Sequence, residues 1–539
     1  GLSLQSIGHL GVAVDFGDAL GAKLTPRYVD ITGGAVTWLR DGAGNVVAGM
    51  GTPETVGRFN ALPGGKGLEA RTDQSGGFNM ATLEGETIRG AEVDGIDRTR
   101  GIDLRFPDTH VTLAKKASQF GLSLEAALEG GSDTGKVSAK ALFSADYEDF
   151  DLDVSLRGVN PRTVAPESGR AAILANFDLP VDLDLQVSAM RGQGLRTVTL
   201  DVKSGSGTGG LSPRTNRIKN IDIAAHYDTI TEALNIDTLR IDGTRFGGDG
   251  KARLTNIGRP ATGFFKETVG FSSRSTNVKF DATHLFDDIF EFKAVDITGS
   301  YAPVQKRLEI DDLVLGFDDF ALGANISLTR GRDGKLQALS GGGRLTGDMT
   351  PGDLLSIWPT RFALGARRWV DRRVESGLIS DLELDFDIPA AVFSGEKLRN
   401  EDLTLAFSVR DGRVKYISTM TPLTDAIGAG VLRGNSLEFE VTSGEIGSLD
   451  ITRGQVDIPR LFPKGGDLVI DVEGTGPATE MLALIDQKPF LFTSRYGLKP
   501  SDFSGQGHVH LNIRRPLLEY FDKSRIEYAV DGNFTDVSI

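Results

Sequence analysis

Short runs of alternating polarity recur along the whole chain, and they leave few folds open. In "VDLDLQV" the residues Val181, Leu183, Leu185 and Val187 are each separated by one polar residue. "LELDFDI" repeats this with Leu382, Leu384, Phe386 and Ile388, "LTLAFSV" with Leu403, Leu405, Phe407 and Val409, and "LEFEV" with Leu437, Phe439 and Val441. Successive side chains of a strand point to opposite faces, so each run carries one apolar and one polar face. The pattern predicts antiparallel sheet wetted on one side. Parallel sheet would read as unbroken apolar runs with helices between them.

The chain also repeats itself. "LNIDTLRIDGTRFGGDGKARL" (234–254) overlays "LEIDDLVLGFDDFALGANISL" (308–328) at one offset, Leu234 on Leu308, Ile236 on Ile310, Leu239 on Leu313 and Phe246 on Phe320. Repeated hairpins of this kind predict modules that stack side by side rather than independent globules. At 539 residues the chain exceeds what one compact core usually holds. Its 68 Gly signal many tight turns. Helices are expected at few places. Thr350 can cap a helix, Pro351 suits its first turn and Gly377 ends the stretch, giving 350–377. A second is expected over 476–489, and a weaker relative over Gly158 to Glu167. The Gly- and Ser-rich stretch 203–217 reads as a flexible linker or loop. Residues 258–277 read as a second irregular segment, with Phe264, Phe265 and Phe271 packed on apolar surface. The expected division is an N-terminal β segment 1–202, the linker 203–217, a repeated-hairpin segment 218–349 and a C-terminal segment 350–539.

Candidate chemistry is sparse. A formal net charge of -15 argues against nucleic acid, which calls for clustered Lys and Arg, and against broad electrostatic docking on anionic lipid. Cys is absent, so disulfides and thiolate metal sites are excluded, and both a bacterial cytosol and a periplasm fit. Gly205, Gly207 and Gly210 satisfy G-x-G-x-x-G, but no helix follows to hold a pyrophosphate, so nucleotide binding is not expected. His508 and His510 share a strand face, yet no third metal ligand stands at a readable spacing. Carboxylate pairs such as Asp182/Asp184, Glu383/Asp385 and Glu438/Glu440 recur so evenly that they read as a solvated face, not a glycosidase site. Arg367, Arg368, Arg372 and Arg373 beside Trp369 form the one basic cluster, a candidate contact for a phosphate or lipid headgroup. No catalytic residue, metal site or cofactor is expected. The longest apolar run, Ala171 to Phe177, is far too short to span a bilayer. With Gly1 first, no signal peptide, and a last stretch "GNFTDVSI" that reads as strand, the chain is expected to be a piece of a longer polypeptide.

The stretch "LLSIWPTRFALGARRWVDRRVESGLIS" resembles the Trp-Pro…Ala-Arg-Arg-Trp-Val…Gly signature of the YhdP-type, AsmA-like proteins of Gram-negative bacteria. "GRVKYISTMTPLTDAIGAG" (412–430) and "GPATEMLALID" follow in the order that family shows. The resemblance covers 350 to the end most clearly; residues 218–330 are similar in style. It implies an elongated antiparallel sheet curled into a groove, a β-taco or bridge-like lipid transfer fold. It further implies a periplasmic protein anchored in the inner membrane by an N-terminal helix absent from this chain, carrying phospholipid toward the outer membrane without catalysis. The expected partners are phospholipid acyl chains and the two membranes, or membrane proteins, at the ends. The expected lining is Val181, Leu183, Leu185, Leu234, Ile236, Leu308, Ile310, Leu382, Leu384, Phe386, Leu403, Leu405, Phe407, Leu437, Phe439 and Val441. Rival readings are a structural or adhesive β-solenoid with a dry core, a carbohydrate-active β-helix, and a factor in outer-membrane protein assembly.

Overall fold

The structure, a computed structural model, describes residues 9–14, 26–41, 46–50, 53, 84–116, 119–130, 133–144, 148–167, 170–191, 194–210, 216–257, 268–331, 333–360, 363–488, 490–518 and 522–538. It divides into two compact units, Gly1–Asn256 and Ile257–Ile539. Both are mainly β, built as curled, unclosed and mostly antiparallel sheet with a few short helices.

In the first unit the strands are β1 (His9–Val14), β2 (Pro26–Thr32), β3 (Ala35–Arg40), β4 (Val46–Met50), β5 (Gly85–Asp97), β6 (Ile102–Lys116), β7 (Gln119–Gly130), β8 (Asp133–Ser144), β9 (Asp149–Val159), β10 (Val181–Met190), β11 (Gly194–Ser204), β12 (Gly207–Gly209), β13 (Asn216–Asp228), β14 (Ala233–Gly243) and β15 (Phe246–Thr255). From β5 onward neighbours in sequence pair antiparallel, with β11 and the short β12 both on β13. On its other side β5 takes β2 and β3 as parallel partners. The second unit holds β16 (Val269–Phe280), β17 (Phe290–Ala302), β18 (Arg307–Gly316), β19 (Phe320–Arg330), β20 (Leu336–Gly347), β21 (Val374–Pro389), β22 (Leu403–Val414), β23 (Leu423–Arg433), β24 (Ser436–Ile446), β25 (Leu449–Ile458), β26 (Asp467–Pro477), β27 (Gln506–Pro516) and β28 (Glu527–Thr535). Here each described strand pairs antiparallel with the next.

The repeated Ile-Asp-x-Leu has a structural meaning that alternation alone does not supply. Ile236 and Leu239 are three apart, as are Ile310 and Leu313, where strict alternation needs two. Ile236 faces Ala252 while Leu239 faces Gly250. Ile310 faces Ile326 while Leu313 faces Ala324. One residue has been inserted in each case, a β-bulge that returns the following apolar residue to the same face. The device recurs in the second unit between Ser380 and Glu383, Val409 and Gly412, Thr424 and Ile427, and Ile451 and Arg453. Asp381, Asp411 and Asp425 sit at φ 49°, 54° and 49°, the left-handed region that Asp tolerates better than most residues. Bulges bend a strand and raise its twist, so a line of them through consecutive strands curls the sheet.

The helical expectations need correction in extent. The stretch 350–377 is not one helix but two, α2 (Pro351–Ile357) and α3 (Leu364–Arg373), and Gly377 lies inside β21. Thr350 does cap α2: its Oγ1 accepts from the Asp353 amide at 3.2 Å, and Asp353 accepts from the Thr350 amide at 2.9 Å. Trp358 is extended because Pro359 follows, and Pro cannot donate into a continuing helix. The earlier helix α1 is only Pro161–Val164, α4 is Ala390–Phe393, and within 476–489 the helix α5 covers Ala478–Ile485; α6 is Phe492–Arg495. In the stretch 203–217, Lys203 still pairs with Asp222, and residues 211–215 lie outside the described residues. The unit boundary falls at Asn256/Ile257, beside the second irregular segment, of which Val269 onward is β16. Phe264 and Phe265 lie outside the described residues.

Asp402 pins the connection into β22. It is 2 % exposed and accepts from the Arg399 amide and from Arg399 Nη2, each at 2.7 Å. These donors hold its carboxyl below the ordinary carboxylate range. A depressed folded-state value stabilises the protein above the unfolded Asp value of about 4, and the contribution is lost as pH falls through the depressed value. The melting-temperature gap between wild type and Asp402→Asn is therefore expected to be widest near neutrality and to narrow on acidification below the unfolded Asp value of about 4. A gap independent of pH would contradict this assignment.

Candidate functional site: the apolar face

Register places the alternating residues in unbroken rows across many strands. In the first unit, Val111, Leu124, Ala139, Val154, Leu185, Leu200, Ala225, Ile236 and Ala252 are successive Cα partners from β6 to β15. Leu183 and Leu234 lie in the flanking rows, with Leu156/Val202 and Tyr227/Leu254 as partners. Val181 pairs with Val159 at the row end. In the second unit, Ile297, Leu313, Ala324, Gly343, Leu384, Leu405, Leu432, Leu437 and Ile458 form one row from β17 to β25. Ile310, Ile326, Gly341, Phe386 and Leu403 form the row beside it, and Leu308, Leu328, Leu339 and Ile388 the next. On the other side Phe407, Gly430, Phe439, Val456, Ile470, Ile513 and Tyr528 run to the edge strand β28. Val441 lies one step further along β24, and Leu382 shares the parity of Leu384 and Phe386. Within each unit the expected lining residues therefore share one face.

Their burial separates this face from the interior of a sandwich. All of them are half-buried except Val441, at 8 % exposure. Two sheets packed face to face would bury such Leu, Ile and Phe side chains almost wholly. Several fully buried apolar residues of the second unit instead lie toward the rim where α2, α3, α5 and α6 pack, among them Met349, Leu449, Ala478 and Met481. A Cβ on Gly507 would lie 2.7 Å from the Met481 sulfur, so α5 rests on the end of the apolar face.

Glycines of this face, which sequence reasoning took only as turn signals, are part of its surface. A Cβ on Gly430 would lie 2.5 Å from Phe407 Cζ and 2.8 Å from Phe439 Cδ2. The two rings, 6.0 Å apart, thus lie over Gly430 from both sides. Phe386 covers Gly341 in the same way, its Cζ 3.0 Å from where a Cβ would be. A Gly inside an alternating run, opposite Phe on the neighbouring strand, is the signal that would have found them. Gly430→Val is expected to lift both rings and destabilise the second unit by about 1–3 kcal/mol, read by thermal unfolding. An unchanged melting temperature would show that the rings are not seated on this glycine.

The opposite face is a lattice of cross-strand polar pairs. Asp184 accepts from Arg157 at 2.6 Å and Ser155 at 2.5 Å, and both lower its pKa. Arg240 meets Asp249 at 2.6 Å, and Arg274 meets Asp296 at 2.8 Å. His510 does share its face with Asp471, 2.9 Å away, and Asn512 donates to the same carboxylate at 2.8 Å. Asn512 and then His510 hold Asp471 low, and Asp471 in turn raises His510. Asp471, Glu473 and His510 are close enough to ligate an ion, but Asp471 is occupied by His510 and Asn512, and Glu473 faces Arg453 at 3.5 Å. Every described carboxylate with a perturbed pKa is pushed down, by the hydrogen bonds and cations around it.

The basic cluster is split by the structure. Arg367 is tied to Asp287 at 2.5 Å and to the Leu355 carbonyl at 3.1 Å. Arg373 is half-buried, its carbonyl taken by the Lys415 amide at 2.8 Å. Arg368 and Arg372 are exposed beside Trp369.

A curled, unclosed, mostly antiparallel sheet with one polar face and one half-buried apolar face defines the class of protein. A family model described as "YhdP protein" matches residues 260–535, just over half of the chain, and the chain belongs to that family. No curated protein and no solved structure matches it. No helix among the described residues is long and apolar enough to cross a membrane.

Proposed function

We propose that the protein carries phospholipid along its apolar face, which lines the inside of the curl as a groove, and that it does so in the periplasm between the inner and outer membranes without catalysis. One observation carries the reading: the rows of Leu, Ile and Phe continue through consecutive strands and, among the described residues, stay half-buried rather than sealed. Membership of the YhdP family supports it. At about 4.8 Å per strand, the strands of the second unit offer an apolar face on the order of 60 Å wide. Each methylene kept from water contributes about 0.8 kcal/mol whether a bilayer or such a face shields it. An acyl chain that leaves one for the other therefore changes little in free energy, so sliding needs no nucleotide. Headgroups would stay wet at the open side. The dry-core solenoid fits less well, because its Leu405 or Leu437 would be buried.

The test is the lipid content of protein isolated under mild conditions. Mass spectrometry is expected to find phospholipid in at least equimolar amount, and a chain free of lipid would count decisively against the reading.

A further inference from the structure

We propose that residues 487–488 and 490–499, in the connection between β26 and β27, form a docking site for the surface of an anionic phospholipid bilayer. The segment reads "QKPFLFTSRYGLK" and contains Lys488, Arg495 and Lys499 with no acidic residue, in a chain of net charge -15. Phe490, Leu491, Phe492 and Leu498 are exposed, and Tyr496 is 70 % exposed. Large apolar side chains in water beside cations form the composition that settles at the headgroup boundary, rings in the interface and charges on lipid phosphates. The match in charge selects an anionic bilayer among possible occupants.

The segment is presented, not loose. Gln487 Oε1 accepts from the Thr421 amide at 2.7 Å, and its Nε2 donates to Thr421 Oγ1 at 2.8 Å. Thr419 Oγ1 donates to the Lys488 carbonyl at 2.5 Å, and the Ser494 amide to Asp486 at 2.7 Å. Thr493 is buried beneath, so the polar residues anchor while the aromatic ones point out. Leu491 is held at φ 49°, a conformation that costs an L-residue about 1 kcal/mol or more, with its side chain still exposed. Residues 415–422 link this segment to α3 through the Lys415 amide and the Arg373 carbonyl, and α3 exposes Trp369 between Arg368 and Arg372. The site is independent of the lipid-carrying face.

The test is co-sedimentation of the whole chain with phosphatidylcholine vesicles, with and without a third of phosphatidylglycerol. The wild type is expected to bind the anionic vesicles preferentially and to release them at high salt. Lys488→Gln/Arg495→Gln/Lys499→Gln is expected to weaken binding on the order of a hundredfold, at about fivefold per cation. Phe490→Ser/Phe492→Ser/Tyr496→Ser should lose binding at every salt concentration, with circular dichroism and bound lipid content unchanged. Equal binding to both vesicle types, or variants that bind like wild type, would overturn the proposal. So would a wild type that ignores vesicles but self-associates through these side chains, because the occupant would then be a second copy of the chain.

Discussion

Phe407→Asp, and more strongly Phe407→Asp with Phe439→Asp, is expected to strip phospholipid from the protein while leaving it folded. Phe407 is half-buried, its ring lying against Gly430 and 6.0 Å from Phe439, not sealed within a core. A carboxylate there keeps much of its hydration in the empty protein, so the cost to folding is a lost ring contact and not a buried charge. An acyl chain lying on the same spot would have to dehydrate that carboxylate, at several kcal/mol. Each 1.4 kcal/mol is a factor of ten, so bound lipid should fall at least about tenfold. Lipid per protein by mass spectrometry, read beside the melting temperature, separates the accounts. A dry core predicts the reverse, with the variant failing to fold at all.

Deleting Asp411 should have the largest effect on stability. The residue is the inserted one in β22, so that Val409 faces Gly428 and Gly412 faces Ala426. Without it the rest of the strand slips by one, and Val414 is turned to the polar face. The loss of its apolar burial and of the adjoining ladder bonds amounts to roughly 3 kcal/mol or more, a drop of several degrees in melting temperature. Asp411→Gly, which fits φ 54° without strain, should be neutral to mildly destabilising, whereas Asp411→Val should cost about 1–2 kcal/mol. A deletion that melts like wild type would show that the bulges do not set the register.

The strands and their apolar side were legible because a period of two is a direct consequence of backbone geometry, and Leu384, Leu405 and Leu437 meet in one row as that period requires. The curl was also written in the sequence, in the spacing of three between Ile310 and Leu313 and in Val-Arg-Asp-Gly at 409–412, but a template of strict alternation passes over it. Pro359 should have divided the stretch 350–377, because the residue before a proline avoids helical geometry. The seating of Phe407 and Phe439 on Gly430 needed the register between consecutive strands, which alternation within one strand does not fix. The pairing of Arg367 with Asp287 was out of reach, since it brings together residues far apart in the chain.

A density map of the protein purified with its lipid retained tests the central claim most directly. The account predicts continuous tube-like features lying along the row of Leu384, Leu405, Leu432 and Leu437, in contact with Phe407 and Phe439. Side chains of the protein itself packed densely over that row would contradict it.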